Sequence, residues 1–219
     1  MESLKETDGR RARGQRTRLQ ILEAAAALAS VEGLEGLSLG GLSEYLGISK
    51  SGLYAHFGSK EELQLATIRV AAEMYGRDVM AKALLADEGT AQIVAFTDAF
   101  LDYVRHGPFP GGCFFIASFL DPANMREPVR EALADIQRQL LGFFAGNVRL
   151  AQARGALPPA ADPEEFAFEI DAILVGADVN YVLLKDPLRL ERAKDAVRRL
   201  LGVGLRQPAA VRGDRLTNV

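Results

Sequence analysis

Ser49, Lys50, Ser51, Tyr54, His56 and Lys60 fall within one short stretch of the chain, with the small Gly52 among them. Hydroxyls, ammonium groups and the free N–H groups of a helix N-terminus are what hold phosphate oxygens. A helix whose first turn is small and polar can also approach base edges in a major groove. The chemistry of this stretch is therefore nucleic-acid binding. A second set of reactive types, Asp102, His106 and Cys113, can be drawn as a hydrolytic triad, and an i,i+4 pair such as Asp102 and His106 can touch on a helix. Nucleophile activation needs a positioned base and an oxyanion site, and no surrounding motif supplies them. A redox role for Cys113 needs an exposed thiol of low pKa, whereas its neighbours Phe114 and Phe115 favour a buried, inert one. Cys and His do not cluster as a zinc site requires, so neither metal nor cofactor is expected.

The elements around these residues read as helices throughout. Ala, Leu, Glu and Arg dominate, and alternating β-branched runs are missing. Ile21, Leu22, Ala25, Leu28 and Ala29 share one face of a first helix, with Gly33 as its C-cap. Ser38 caps a second helix ending near Leu46, and Gly47 supplies the turn to a third helix capped by Ser49 and running to about Phe57. Leu42, Leu46, Ile48 and Leu53 are expected to pack these two helices together. Ser59 and Glu62 form a capping box at the start of a fourth helix. Three short helices with a glycine turn between the last two make a helix-turn-helix. Further helices follow over about 90–106, 113–120, 128–154, 163–184 and 187–201, punctuated by the breaker-rich 107–112 loop and by Asp162-Pro163 and Asp186-Pro187 starts.

Charge sharpens this reading only when divided by region. The chain as a whole carries −3. Residues 10–60 hold seven cations (Arg10, Arg11, Arg13, Arg16, Arg18, Lys50, Lys60) against four carboxylates, a balance of +3 that leaves −6 for the rest. A basic end on an acidic body fits a DNA-binding unit joined to something else; a solvated charged tail is the competing reading. Non-specific chromatin-type binding asks for far more positive charge. The N-terminus lacks the apolar core of a secretory signal, no stretch is long and uncharged enough to span a bilayer, and a single cysteine fits a reducing compartment. A cytoplasmic protein with no membrane partner is expected.

The run Gly47-Ile48-Ser49-Lys50-Ser51-Gly52-Leu53-Tyr54-Ala55-His56-Phe57-Gly58-Ser59-Lys60-Glu61-Glu62-Leu63, preceded by Leu37-Ser38-Leu39, Leu42 and Leu46, resembles the DNA-binding domain of TetR-family regulators. The resemblance covers roughly residues 14–75. It implies that Ser38, Ser49, Tyr54, His56 and Lys60 hold backbone phosphates, that Ser51 and Gly52 face base edges, and that Lys50 is placed for either. It also implies an all-α fold: a flexible basic arm (1–13), a helix-turn-helix domain (14–75), a ligand-binding and dimerisation domain (76–203) and a flexible tail (204–219). Gly40-Gly41 inside the second helix depart from the family pattern and cost roughly 1 kcal/mol each relative to Ala; Ser43 and Leu46 stand where Ala is common.

Aromatics concentrate in the second domain. Most aromatics at helical spacing are core, and the functional reading is that a minority line a small-molecule pocket. The pocket candidates are Phe100, Tyr103, His106, Phe114, Phe115, Phe119, Phe143, Phe144, Asn147, Asp178 and Tyr181, with Asp102 and Asn180 as further polar candidates. The last two helices are expected to form a homodimer interface, since one recognition helix reads too few base pairs. The reading is a DNA-binding regulator released from a palindromic operator by a small apolar effector. An activator or effector-independent regulator of the same fold stays open, and a helical adaptor or hydrolase is the remote alternative.

Overall fold

A long first helix anchors the N-terminal unit and feeds two short ones. The computed structural model describes residues 2–119 and 122–204, with side chains from Arg13 onward. Helix α1 spans Glu2–Gly36 and breaks at Gly33, whose φ of +74° lies outside the helical region. The stretch 2–13, expected as a separate arm, continues into α1 as helix; it holds no proline and is rich in helix formers. The side chains of Arg10 and Arg11, and the expected tail from residue 205, lie outside the described residues. Helices α2 (Leu39–Leu46) and α3 (Lys50–Tyr54) follow, then α4 (Lys60–Tyr75). The rod of α4 does not stop at Tyr75. It passes through a π-helical turn, Gly76–Met80, into the short α5 (Ala81–Ala83), so one continuous element joins the two halves of the chain.

The second half is built from α6 (Thr90–His106), α7 (Phe114–Phe119), α8 (Glu127–Ala153), α9 (Pro163–Leu184) and α10 (Leu188–Leu200). No strand occurs among the described residues. The core runs through both halves. Ala25, Ala26 and Ala29 of α1 are fully buried, and α1 packs on both α4 and α7. Phe96, Phe114 and Phe144 are fully buried in the second half, with Phe96 edge-on to Phe144 at 4.9 Å between ring centres. Helix α10 closes the far side, where Arg198 reaches Asp98 of α6 at 2.7 Å.

The loop between α6 and α7 is clamped from two directions. Gly111 donates its N–H to Ser30 Oγ of α1 at 3.2 Å. Its backbone lies so close to α1 that a Cβ there would stand 1.9 Å from the Ser30 carbonyl oxygen. Next along, Gly112 sits at φ +91°, and a Cβ on it would lie 2.5 Å from Asp178 Oδ1 of α9. That same oxygen accepts the Cys113 N–H at 2.9 Å. Asp178 is only 3% exposed; burial pushes its carboxyl up to about 6 against the opposing pull of the Cys113 N–H.

Two measurements test the clamp. Gly111→Ala forces the loop and α1 apart and should cost roughly 1–3 kcal/mol or more of stability in chemical denaturation; an unchanged midpoint would show that the loop lifts freely. Asp178 keeps its proton to about pH 6 when folded but only to about pH 4 when unfolded. The native state binds more protons in that window, so this contribution to stability is complete below about pH 4 and lost as pH rises through about 6. Asp178→Asn should therefore flatten the stability–pH profile by roughly 2–3 kcal/mol between those limits. The carboxyl of Asp171 is also raised, so the difference between the two proteins, not the wild-type slope, isolates Asp178.

Candidate nucleic-acid interface and an internal cavity

The turn between α2 and α3 forms because Gly47 takes the left-handed conformation (φ 65°, ψ 27°) while its N–H returns to Glu44 O and that of Ile48 to Ser43 O at 3.1 Å. Both short helices are capped by serine. Ser38 Oγ accepts the Gly41 N–H at 3.0 Å, and Ser49 Oγ accepts the Gly52 N–H at 3.1 Å while lying 3.2 Å from Ser51 Oγ. Capped in this way, α2 forms from Leu39 to Leu46 despite Gly40-Gly41. Leu42, Leu53 and Phe57 are completely buried beneath the pair and Leu46 packs against the same cluster. Ile48, expected among them, is instead 40% exposed, because the glycine turn carries it past the end of α2 and out of the shared face. Helix α3 is shorter than expected, ending at Tyr54.

The outer face of α3 is what a groove would meet. Lys50, Ser51 and Tyr54 are exposed, Tyr54 to 58%, whereas Gly52 and His56 are half-buried. Lys50 makes no ion pair among the described residues. Phe57 is core, as its position four residues beyond the buried Leu53 allows, and carries the Arg18 guanidinium over its ring at 4.5 Å. The caps change the roles open to the serines. Ser38 and Ser49 are each occupied with a backbone N–H, so what they offer to a phosphate is chiefly the helix N-terminus they organise.

Lys60 is engaged elsewhere. Its ammonium donates to Glu35 O at 2.6 Å and to Glu35 Oε2 at 3.0 Å, and Gln64 Nε2 joins from the same side to Leu34 O and Glu35 Oε1. This knot of Glu35, Lys60 and Gln64 fastens the end of α1 to the start of α4. Nothing in the sequence marked it, because Glu35 lies 25 residues before Lys60. The Ser59–Glu62 pair is half of the expected box: Glu62 N donates to Ser59 Oγ at 3.0 Å, but the Glu62 carboxylate turns to Gly58 N at 2.9 Å instead of Ser59 N. Its other oxygen lies 3.6 Å from the Arg18 guanidinium.

A cavity of about 280 Å³ lies in the second half, walled by α4, its π-turn, α6, α7, α8 and α9. Of the pocket candidates, Phe100, Phe115, Phe119 and Phe143 line it. The other expected residues do not. Phe114 and Phe144 are sealed core. Tyr103 packs edge-on to Tyr75 and Phe109 outside the lining, its phenol raised far above its ordinary range by burial. Asn147 is spent on structure, accepting Gly89 N at 2.7 Å and donating to Phe143 O at 3.0 Å. Asp178 belongs to the clamp, and Tyr181 faces a separate surface groove beside the 107–112 loop. His106 pairs with Asp102 at 2.9 Å in solvent, and Asn180, also exposed, donates to Gly176 O within its own helix. Periodicity identifies which rings are internal but not which face a void.

Residues that sequence reasoning passed over complete the wall: Tyr75, Gly76 and Met80 from the α4 rod, Phe96, Cys113, and Gln137 with Asp171. Gln137 Nε2 donates to Asp171 Oδ2 at 2.9 Å. Tyr75 is the hub of the rings, 5.7 Å from Phe115 and 5.8 Å from Tyr103. Burial pushes the Cys113 thiol up to about 12, so at neutral pH it is protonated and a poor nucleophile. A triad of Asp102, His106 and Cys113 is thus a solvated pair and a buried thiol. Among the described residues no helix is long and apolar enough to cross a membrane.

Known proteins resemble the chain along most of its length. Residues 21–67 match the model of bacterial regulatory proteins of the tetR family, and residues 89–197 match the tetracyclin repressor-like C-terminal domain. The HTH-type transcriptional regulator TtgR of Pseudomonas putida is 25% identical over 184 residues, covering 80% of this chain and 85% of the relative. A TetR transcriptional regulator from Chloroflexus aurantiacus superposes with a TM-score of 0.79 at 27% identity, over 90% of this chain and 100% of that one. The regulator CifR, solved as a cysteine mutant with 26-bp double-strand operator DNA, superposes at 0.70 with 27% identity, over 84% of this chain and 94% of that one. With a capped helix-turn-helix matching one model and a helical body matching the other, the chain belongs to the TetR family of bacterial transcriptional regulators.

Proposed function

We propose that the protein is a homodimeric repressor that holds a palindromic operator through α3 of each protomer and lets go when a small, mainly apolar molecule fills the cavity. One observation carries this reading: a single helical rod serves both sites. The N-terminal end of α4 is tied to α1 through Lys60 and Glu35, beside the α2–α3 pair, and its C-terminal end supplies Ala72, Tyr75, Gly76 and Met80 to the cavity wall. A π-turn at Gly76–Met80 interrupts that rod where the cavity begins, and such turns recur at functional sites. A ligand that prefers one setting of the rod shifts the separation of two recognition helices, and a preference of about 1–3 kcal/mol is enough to matter.

On DNA, Ser51 and Gly52 face base edges, Lys50 reaches a base or phosphate, Tyr54 and His56 meet the backbone, and Ser38 and Ser49 act through the N-termini they cap. Lys60 serves first as the fastening of α4, with Glu35 as its counter-charge. The pairing surface is the outer face of α9, where Phe168, Val179 and Leu183 are exposed on one side, Leu183 to 75%. Large apolar side chains grouped on one helix face call for a partner, and a second copy supplies the second recognition helix. The protein works in the cytoplasm and performs no catalysis.

Selection of bound sequences from a random duplex pool tests this reading. The wild-type protein should enrich a palindrome, and Leu183→Asp, folded but monomeric by sedimentation, should enrich none. Enrichment of a non-palindromic site by both proteins would refute the dimeric repressor.

A further inference from the structure

The cavity has a chemical bias that its size and greasiness do not reveal. Among the described residues its lining contains no Lys, Arg or His, and its one carboxylate is Asp171 of α9. Asp171 receives a single neutral hydrogen bond, from Gln137 at 2.9 Å, and forms no ion pair among the described residues. Burial raises its carboxyl above the ordinary range, and no neighbouring cation opposes that rise. A half-buried carboxylate without a counter-charge is a standing cost, relieved when a cation arrives with a ligand.

The opposite walls suit the same guest. Tyr75, Phe96, Phe100, Phe115, Phe119 and Phe143 surround the void, and their ring faces attract a cation as well as an aromatic body. An anionic ligand would meet an acid and aromatic rings and, among the described residues, no basic group. The volume of about 280 Å³ is at the small end of ligand pockets, which limits the guest to a compact body of one or two rings.

We propose that the effector is a compact aromatic amine, bound as its cation, with the ammonium group against Asp171 and the ring among the cavity aromatics. Gln137 orients the carboxylate by its one hydrogen bond and leaves the other oxygen to the ligand. This inference rests on the cavity being the effector site.

Three naphthalenes of one shape test it on the full-length protein by calorimetry: 2-(aminomethyl)naphthalene, 2-(hydroxymethyl)naphthalene and 2-naphthoate. The amine should bind roughly tenfold or more tighter than the alcohol, consistent with an ion pair plus a cation–π contact, and the naphthoate more weakly still. Asp171→Asn should weaken the amine far more than the alcohol and so remove the preference between them. Equal binding of amine and alcohol, or a uniform loss of both in Asp171→Asn, would overturn the cation assignment while leaving the cavity a ligand site. Binding of none of the three to folded protein overturns the cation assignment and counts against the cavity as well. If the amine binds through Asp171 but does not weaken affinity for the selected operator, the assignment stands and the effector reading fails.

Discussion

Two glycines without room for a side chain pin the α6–α7 loop between α1 and α9. At Gly111 the backbone of the α6–α7 loop lies directly against the Ser30 carbonyl of α1, and at Gly112–Cys113 the same loop is caught by the buried Asp178 of α9. The helix that begins right after this loop, α7, packs on α1 and also lines the cavity through Phe115, Ile116 and Phe119. The loop therefore does more than connect. It joins the first helix of the DNA-binding unit to the α9 wall of the pocket with almost no slack.

Besides the packing of α7 on α1, the loop and α4 each link the cavity to the DNA-binding unit. The rod couples through Lys60, Glu35 and Gln64 at one end and Tyr75, Gly76 and Met80 at the other. The clamp couples through Ser30, Gly111 and Asp178. Protein interiors are close-packed, so an object placed in the cavity is felt along both links. The buried Asp178 carboxyl is a costly way to make one hydrogen bond once ionised, and its place beside the loop ties part of the stability of the join to pH.

Much of this was legible in the sequence for identifiable reasons. Caps, breakers and periodicity are local, so Ser38, Ser49, Gly33, Gly47 and Asp162-Pro163 mark the helices to within a few residues of where they lie. Phe57 could be assigned to the core from its phase relative to Leu53. Ile48 could not be placed so well, since the turn geometry that exposes it is a three-dimensional matter. The pocket was half legible. Phe100, Phe115, Phe119 and Phe143 line it, while Phe114 and Phe144, one position away from two of them, point into solid core. Asn147 and Asp178 looked like ligand-binding polar groups but are consumed by backbone N–H groups of distant loops. Asp171 and Gln137 gave no signal, because two polar residues on separate helices meet only after α8 and α9 pack.

Lys50 stands exposed on the outer face of α3, the face proposed to enter a DNA groove. Affinity for the selected operator, measured against salt concentration for wild type and Lys50→Ala, tests that proposal most directly. Lys50→Ala should bind more weakly, with a log–log salt slope shallower by about one ion. A correctly folded Lys50→Ala protein with wild-type affinity and an unchanged slope would contradict it.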